Sequence, residues 1–359
     1  MKLLAKLDWL ILLPTLFISS LGILILLSID PKLATSQLIF FIIGLVGYFI
    51  VARIDFRIYT NLTLVFYILS LVLLVITFIL GRVTRGSVRW IQIGSLSFQS
   101  SEFIKPLLIV SFAGFASKLD FGKIKNILVF LLILLIPNFL IFKQPDLGNS
   151  LVFLSIWLAI IYSAGLKNIF VFGGLTVFTV TLPLLVKLLK PYQLERITTF
   201  LNPQYDPLGS GYHLLQSIMT IGSGLFIGKG LGMGSQSQLR FLPERHTDFI
   251  FASFAEELGF VGASILLLLY FVLFIGILKT AQKASGKFAT LICIGIFSML
   301  FFQFFINVGM NLGLVPITGI TLPLFSSGGS SLVASLISLG LIQSISRFSK
   351  NKESMIEIR

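Results

Sequence analysis

Five of the fourteen acidic residues lie at or inside long apolar stretches of the chain, namely Glu102, Asp146, Asp248, Glu256 and Glu257. A charged side chain at the centre of a bilayer costs about 2.5–3.5 kcal/mol even on the mildest scale, so each carboxylate must face a cation, a polar cavity or water. A carboxylate at the edge of a basic cavity can act as a general base. The structural alternative is a buried ion pair that fixes helix packing.

Asp248 is the leading candidate for chemistry because of its neighbours. It follows Arg245, His246 and Thr247 at the end of a long basic segment, and an apolar stretch begins directly after it. Thr247 is predicted to be a helix N-cap with Asp248 in the first turn, which is an adequate structural explanation. The adjacent cations, together with two glutamates about two turns further along, favour a functional interpretation, with Asp248 as general base.

Two further carboxylates are predicted to lie at helix starts. Glu102 and Lys105 are three residues apart, which places them on one helical face where they can pair. Ser100 or Ser101 is predicted to be the N-cap of this helix. Lys105 is a cation at the unfavourable end of a helix, so it pairs either with Glu102 or with an anion on the aqueous side. Asp146 follows a proline at a helix start and is predicted to be a cap.

The glycine-rich segment 222–234 invites comparison with a phosphate-binding loop. The spacing does not fit, since three residues rather than four separate Gly224 from Gly228, and Lys229 is followed by glycine rather than serine or threonine. The glycines are better explained by tight turns or by close approach of the backbone, although contact between backbone amides and a phosphate is not excluded by the sequence.

The residue counts limit the metal and redox chemistry. His213 and His246 are the two histidines, so a site with three histidine ligands is excluded. Cys293 is the one cysteine, which rules out an intrachain disulfide. A hard divalent cation such as Mg²⁺ or Mn²⁺, held by carboxylates and by the phosphates of a ligand, remains open, and no organic cofactor is indicated.

The elements that position these residues are predicted to be membrane-spanning helices. Of the 359 residues, 56% are hydrophobic and 11% are charged, whereas a soluble protein carries about 25% charged residues, so an ordinary soluble enzyme is excluded. Stretches without charge cover residues 9–29, 33–52, 58–81, 126–142, 147–166, 168–186 and 258–278. A shorter stretch, 106–117, reaches full length only if Glu102 and Lys105 lie in the helix.

The uncharged segment 288–346 is predicted to form two spans around a buried or re-entrant loop, because glycines and prolines interrupt its middle. These lengths predict an all-α polytopic membrane protein, one domain over residues 1–359, with about ten transmembrane helices. Lys2 and Lys6 precede the first stretch, which we expect to be a retained helix rather than a signal peptide.

The net charge is 27 − 14 = +13. About half of the cations lie in short loops on alternate connections, which predicts that both termini are cytoplasmic by the positive-inside rule. Most of the others are predicted on the outer side, many of them in the long loop 187–247 between spans 7 and 8. That loop is either a solvated cap near lipid headgroups or a site for an anionic ligand. The outer cations are Arg82, Arg85, Arg89, Lys187, Lys190, Arg196, Lys229, Arg240 and Arg245.

Motifs over nearly the whole chain resemble the SEDS family of bacterial cell-wall proteins. They are GSVRW at 86–90, QSSEFIK at 99–105, QPDLG at 144–148, GSGY at 209–212, LPERHTDFIFA at 242–252, EELG at 256–259, PITGITLP at 316–323 and SSGGSS at 326–331. The residues around Asp248, Arg-His-Thr-Asp at 245–248, resemble the elongation member of the family more than the division member. Two positions depart from the family pattern, since Ser100 stands where proline is usual and His213 where glutamine is usual.

The resemblance implies a ten-span peptidoglycan glycosyltransferase that polymerises lipid II outside the bacterial cytoplasmic membrane together with a class B penicillin-binding transpeptidase. The essential aspartate of the family maps onto Asp248, and its important glutamate and lysine map onto Glu102 and Lys105. On this hypothesis Lys105, Arg196, Lys229 or Arg245 hold the substrate pyrophosphate. Asp146 and Ser330 complete the expected substrate site. Lipid II and membrane lipids are the expected ligands, and nucleic acid is not.

Two other functions remain open at this point. Many spans, intramembrane charges and a broken region between the last two spans also suit a transporter, specifically a lipid II flippase. Alternatively the chain is mainly a scaffold for a transpeptidase, in which case removing the charges of Glu102, Lys105 and Asp248 would leave activity intact.

Overall fold

The structure is a computed structural model that describes residues 7–84, 87–93, 96–187, 191–203 and 210–356. Arg85 and Lys190, two of the predicted outer cations, lie outside these ranges, as do Lys2 and Lys6 before the first span. The side chains of Arg82 and Lys187 are likewise not described.

A single aspartate joins the first two helices, α1 (Trp9–Ile29) and α2 (Pro31–Arg53). Asp30 ends α1 with its backbone N–H bonded to the Leu26 carbonyl oxygen, and its carboxylate accepts a hydrogen bond from the Lys32 backbone N–H. Pro31 at the first position of α2 suits a helix start, because its missing N–H would have no intrahelical partner there.

The remaining helices follow the predicted stretches closely. In the first half of the chain they are α3 (Ile58–Asn61), α4 (Thr63–Leu80), α5 (Ser100–Lys118), α6 (Ile124–Lys143), α7 (Leu147–Ser163) and α8 (Asn168–Lys187). The second half contains α9 (Pro191–Leu201), α10 (Ser210–Ser223), α11 (Ser235–Gln238), α12 (Ile250–Lys283), α13 (Lys287–Asn311) and α14 (Gly329–Ile356). The described part of the long loop 187–247 therefore holds three helices of its own.

Seven helices in the described part of the chain are long and apolar enough to cross a membrane, and α7 and residues 168–181 of α8 form shorter apolar helices. The prediction of a polytopic helical membrane protein is thus confirmed, while the number ten stays a prediction. Helix α5 is not one of the seven, because its sequence is less apolar. It packs against α4, α7, α13 and α14 and is buried along most of its length, so protein rather than lipid surrounds it.

A small antiparallel sheet lies between α4 and α5, in a segment for which the sequence predicts no membrane-spanning helix. Its strands β1 (Arg82–Thr84), β2 (Ser87–Ile93) and β3 (Leu96–Gln99) lie in the order β1-β2-β3. Strand β3 runs directly into α5, and the Phe98 ring stacks on Phe103 at 4.2 Å between centroids. The predicted cap is wrong: Gln99 is the N-cap, while Ser100 and Ser101 are the first two residues of the helix.

The loop between α13 and α14 is buried in its second half, since Ile320 and residues 322–326 are buried, whereas residues 312–319 are exposed or half-buried. Gln37 of α2 holds it from both sides, since its Nε2 donates to the Ser326 carbonyl oxygen (3.0 Å) and its Oε1 accepts from the Gly328 backbone N–H (3.2 Å). Gly22 of α1 lies against the backbone of Phe325, where any Cβ would overlap the carbonyl oxygen. The loop is therefore fixed by the first two helices.

Helix α12 is broken at Gly259, which has a φ of 66°. The glycine-rich segment fills the break. Its Lys229 backbone N–H donates to the Glu256 carbonyl oxygen, and on the other side of the break the Phe260 N–H donates to the Leu225 carbonyl oxygen, both at 3.0 Å. Gly228 has a φ of 90°, and a Cβ there would overlap the Glu257 carbonyl oxygen. Close backbone approach, the structural explanation predicted for these glycines, is confirmed.

Gly228→Ala is expected to lower the free energy of unfolding by about 1–3 kcal/mol from backbone strain alone, with a further loss from the overlap with Glu257. Gly232→Ala is the matched control, because Gly232 has a φ of 74° but no atom within 4 Å of its Cβ position. Thermal melting of the detergent-purified variants measures the difference. Equal melting temperatures for the two variants would contradict the close packing inferred here.

Candidate active site

A cavity of about 360 Å³ opens between the starts of α5 and α7, helix α9, the segment before α12 and the loop before α14. Its lining is polar and charged. The lining residues are Arg89, Trp90, Gln99, Glu102, Pro145, Leu147, Gly148, Arg196, Glu244, Thr247, Asp248, Thr318, Gly319, Thr321, Ser327, Gly328, Ser330 and Ser331. Four of the predicted site residues, Glu102, Arg196, Asp248 and Ser330, thus line a single cavity.

Asp248 lies in the turn that precedes α12 rather than in the helix. Phe249 is the N-cap, without a side-chain cap hydrogen bond, so the prediction that Thr247 caps this helix is wrong. The Thr247 hydroxyl instead donates to Oε2 of Glu244 at 3.1 Å. The cap prediction considered only Thr247 and the helix that follows it. It did not consider Glu244, whose carboxylate competes for the threonine hydroxyl.

Two buried asparagines of α13 hold the main chain at Asp248. Nδ2 of Asn307 and Nδ2 of Asn311 each donate to the Asp248 carbonyl oxygen at 3.0 Å. Asn307 also donates to the Ile320 carbonyl oxygen (2.8 Å), and Oδ1 of Asn311 accepts from the Ala252 backbone N–H (3.1 Å). Both asparagines are 0% exposed. They tie the aspartate turn, the start of α12 and the buried loop into one rigid unit.

The loop before α14 holds the same turn from the other side. The Ser326 hydroxyl donates to the Thr247 carbonyl oxygen (2.8 Å), and the Ser327 backbone N–H donates to the His246 carbonyl oxygen (2.9 Å). Further along, the Ser330 hydroxyl accepts from the Gln99 backbone N–H (3.1 Å). Ser330 therefore connects this loop to the entrance of α5.

Glu102 and Lys105 form the predicted ion pair, with 2.6 Å between Lys105 Nζ and Glu102 Oε1. Both side chains are nearly completely buried. Glu102 lines the cavity, whereas the lining does not include Lys105. Among the described groups, Lys105 therefore lies beneath Glu102 and neutralises it, rather than facing the cavity itself.

Asp146 is the N-cap of α7, as predicted, and accepts from the Asn149 backbone N–H at 3.3 Å. Its Oδ2 also accepts from Gln99 Nε2, Ser101 Oγ and Asn149 Nδ2, at 3.0–3.2 Å. Asp146 is not among the cavity-lining residues. It holds two residues that do line the cavity, Gln99 by a hydrogen bond and Arg89 by its charge.

Arg89 was recognised in the sequence only as one of several outer cations, yet it lines the cavity. Its Nε donates to the Gln144 carbonyl oxygen (3.1 Å), its guanidinium also donates to the Pro145 carbonyl oxygen, and Nη1 lies 3.9 Å from Asp146 Oδ1. The feature of the sequence that pointed to Arg89 was its predicted position on the outer side of the membrane, where the positive-inside rule does not require a cation.

The other cations divide into two groups. Arg196 of α9 lines the cavity and donates from Nη1 to the Thr318 carbonyl oxygen at 3.3 Å. Lys229 pairs with Glu256 at 2.9 Å, and Arg245 donates to the Gln238 carbonyl oxygen at 3.2 Å. Neither Lys229 nor Arg245 is among the lining residues. The structure thus supplies Arg89 and Arg196 as the cavity's guanidiniums.

Arg245 occupies a partly buried cluster of charges beside the cavity. Burial lowers the pKa of its guanidinium, and the neighbouring Arg240 lowers it further, while Asp30 and Glu257 oppose the shift. An arginine remains protonated at neutral pH despite such a shift. Arg245 is therefore a cation that balances the buried carboxylate of Glu257.

Glu256 and Glu257 are 0% exposed, and each carboxylate accepts several hydrogen bonds. Glu256 accepts from Lys229 Nζ and from two backbone N–H groups at the start of α11, each at 2.9 Å. Glu257 accepts from Ser28 Oγ, Gln238 Nε2 and the Gly232 backbone N–H at 2.8–3.1 Å. These contacts favour the structural alternative, in which the two glutamates fasten residues 223–238 to α12.

A second cavity of about 350 Å³ shares Arg196 with the first and is also lined by Glu195, Thr199, Phe200, His213, Leu214 and Ile317. Burial lowers the pKa of His213, although the nearby Glu244 partly opposes this, so the imidazole is neutral at pH 7. Its ring stacks on Phe249, next to Asp248, with 6.3 Å between centroids.

The described residues contain no group of three or more histidine, cysteine or acidic side chains that could hold a metal ion. The main cavity does contain the carboxylates of Glu244 and Asp248. A hard divalent cation would need further ligands to complete its coordination, so the cation expected from the sequence stays a prediction.

Comparisons with known proteins agree over nearly the whole chain. The family model of the FtsW, RodA and SpoVE cell cycle proteins matches residues 2–351. The peptidoglycan glycosyltransferase MrdB of Escherichia coli is 39% identical over 306 residues, which covers 84% of this chain and 82% of the relative. The chain belongs to the FtsW, RodA and SpoVE family. The resemblance to the SEDS family is thereby confirmed.

Solved structures of family members have the same fold. A chain from a peptidoglycan synthase complex that coordinates polymerisation and crosslinking matches with a TM-score of 0.84 at 34% identity, covering 96% of this chain and 98% of that chain. The rod shape determining protein RodA of Thermus thermophilus matches with a TM-score of 0.72 at 29% identity, with 95% and 97% covered. The family fold therefore includes the cavity-forming segments described here.

Proposed function

We propose that the chain is a peptidoglycan glycosyltransferase that polymerises lipid II during cell elongation, with Asp248 as its general base. The observation that carries the proposal is a single cavity that combines the Asp248 carboxylate with the guanidiniums of Arg89 and Arg196. Relatives named as peptidoglycan glycosyltransferases support the reaction class. The role in elongation is the more specific part of the proposal, and it rests on the residues of the motif around Asp248.

The cavity suits transfer of a sugar from a lipid pyrophosphate. Asp248 takes the proton from the acceptor hydroxyl, whose oxygen attacks the anomeric carbon of the donor. The bond from that carbon to the pyrophosphate oxygen breaks, and its electron pair leaves with the pyrophosphate. This leaving group is already a stable anion, so it needs cations rather than a general acid. Arg89 and Arg196 supply two guanidiniums that can bind its oxygens.

A divalent cation such as Mg²⁺ or Mn²⁺ is part of the proposal as an accessory charge. Asp248 and Glu244 would hold it together with pyrophosphate oxygens, and when bound it would neutralise part of the leaving group's charge. Asp248, Arg89 and Arg196 keep their roles in this arrangement, since the proton of the acceptor hydroxyl still moves to the Asp248 carboxylate.

We place the cavity on the outer face of the bacterial cytoplasmic membrane and both termini in the cytoplasm, as the distribution of cations favours. The proposed partner is a class B penicillin-binding protein that crosslinks the product. The matching chain from a peptidoglycan synthase complex supports a partner with that activity.

The test is a polymerisation assay with the purified chain, lipid II and detergent, with and without divalent cation, and with and without the transpeptidase. We expect glycan strands to form. Translocation of labelled lipid II in proteoliposomes without polymer under any of these conditions would overturn the proposal in favour of a flippase. Rescue of cells depleted of the elongation enzyme, and not of cells depleted of the division enzyme, tests the elongation role.

Asn307→Leu is expected to reduce the polymerisation rate more than tenfold while weakening lipid II binding little, because Asn307 holds the main chain of Asp248 and touches no substrate group. Asn307→Asp is the conservative comparison, since it keeps the shape but loses the donor. A loss of folded protein would also lower the apparent kcat at unchanged KM, so the folded fraction of each variant is measured separately by thermal melting and kcat is expressed per folded molecule. An unchanged kcat in the folded Leu variant would contradict the role.

A further inference from the structure

A small cavity of about 170 Å³ lies at the end of α12 that is opposite to Asp248. Three helix ends form it: the start of α1, the last turns of α12 and the last turns of α14. Its lining residues are Asp8, Leu10, Lys279, Thr280, Lys283, Ser346 and Ser349. None of them takes part in the proposed reaction.

The cavity carries a net excess of positive charge. Lys279 and Lys283 lie one helical turn apart at its rim and are both exposed. The one carboxylate, Asp8, is already engaged, because it accepts from the Leu10 backbone N–H (3.2 Å) and from the Ser346 hydroxyl (3.0 Å). The two ammonium groups therefore remain for an anion.

Donors without acceptors cluster around the same helix ends. Gln343 is 0% exposed and its Oε1 accepts from the Asp8 backbone N–H and the Tyr48 hydroxyl, yet its Nε2 has no hydrogen-bond partner in the described protein. The same holds for Nε of Arg347 and for the hydroxyl of Ser285, whose backbone N–H donates to Ser349. A buried donor left unpaired costs about 1–3 kcal/mol, and these three donors lie next to the cavity rather than in its lining.

We propose that this cavity binds the phosphate oxygens of an anion at the membrane surface, either the headgroup of an anionic phospholipid or free phosphate. A phosphate offers the negative charge and the acceptor oxygens that the two neighbouring ammonium groups of the lining can bind, and basic pockets between transmembrane helices on the cytoplasmic side are known to bind anionic headgroups. The binding site is independent of the glycosyltransferase reaction, so it stands or falls separately from the proposed function.

The first test compares two double variants with the same charge change. Lys279→Gln with Lys283→Gln removes the rim cations of α12, while Lys123→Gln with Lys125→Gln, the control, removes two exposed lysines at the start of α6. Binding of phosphatidylglycerol and phosphatidylcholine to the delipidated chain is measured by native mass spectrometry. The rim variant should weaken phosphatidylglycerol binding about 30-fold, since each basic residue at a membrane surface contributes about fivefold. The control should bind as the unchanged chain does.

A third variant, Thr280→Met, keeps both lysines and fills the cavity, because Thr280 is buried in its wall. It should weaken binding as the rim variant does, and its melting temperature confirms that it is folded. If inorganic phosphate binds with the same order of affinities among the variants, and the chain shows no preference between the two lipids, the ligand is free phosphate. Equal weakening in the rim variant and the control, or full binding by folded Thr280→Met, would overturn the proposal.

Discussion

Asp248→Asn is expected to abolish glycan polymerisation while leaving the fold intact. An amide cannot take the proton of the acceptor hydroxyl, and a positioned general base contributes about 10²–10⁴-fold to a reaction rate. The fold should survive because the substitution keeps the main-chain carbonyl oxygen of residue 248, which accepts hydrogen bonds from Asn307 and Asn311. The rate of lipid II polymerisation by the purified variant measures the loss, and its melting temperature reports the fold.

Glu244→Gln is the matched control, because Glu244 is the nearby carboxylate that lines the same cavity. Glutamine can still accept the hydrogen bond from Thr247, so the turn should stay in place. We expect this variant to retain most of its activity, apart from any contribution of Glu244 to a divalent cation. Normal polymer from Asp248→Asn, or an equal loss in Glu244→Gln when both variants are assayed without divalent cation, would remove Asp248 from the role of base.

Lys105→Met is expected to lower the free energy of unfolding by about 3–5 kcal/mol, since it leaves the buried carboxylate of Glu102 without its cation. Lys105 is 1% exposed and Glu102 is 6% exposed, so water cannot replace the lost partner. Helix α5 lies among four other helices, and a defect there reaches the centre of the protein. Unfolding of the detergent-solubilised variant by denaturant measures the change.

The double variant Glu102→Leu with Lys105→Met separates the ion pair from packing. Replacing a buried pair by apolar groups of similar size is often neutral or stabilising, so stability should return towards that of the unchanged chain. Activity should stay low, because Glu102 lines the cavity. A double variant as unstable as Lys105→Met alone would show that the lysine stabilises the protein by other means.

The spans could be predicted from the sequence because lipid tolerates few alternatives. The charge-free stretch 9–29 coincides with α1, and the stretch 168–186 falls one residue short of the end of α8. The ion pair of Glu102 and Lys105 was equally accessible, since both residues lie on one helical face. The cap at Asp146 followed from its place after a proline. These are local relations, and local sequence determines them.

Long-range relations were not predictable in the same way. The choice among the cations Arg89, Lys229 and Arg245 depends on which segments fold back onto α12, and that depends on the glycine-rich turn. Lys229 is turned towards Glu256, a partner 27 residues away in sequence. Likewise, the three short strands before α5 were unexpected, because the segment is polar and lacks the length of a typical sheet.

The break in α12 has a mechanical consequence for the aspartate beside it. Because the helix is interrupted at Gly259, the short segment 250–258 is braced by α13, the glycine-rich turn and α1 rather than by the rest of its own helix. Beyond the break, α12 packs one face against α1 and α13 and exposes apolar side chains such as Phe260, Leu268 and Phe271 on the other. The position of Asp248 is therefore set by contacts with other segments and not by the direction of the rest of α12.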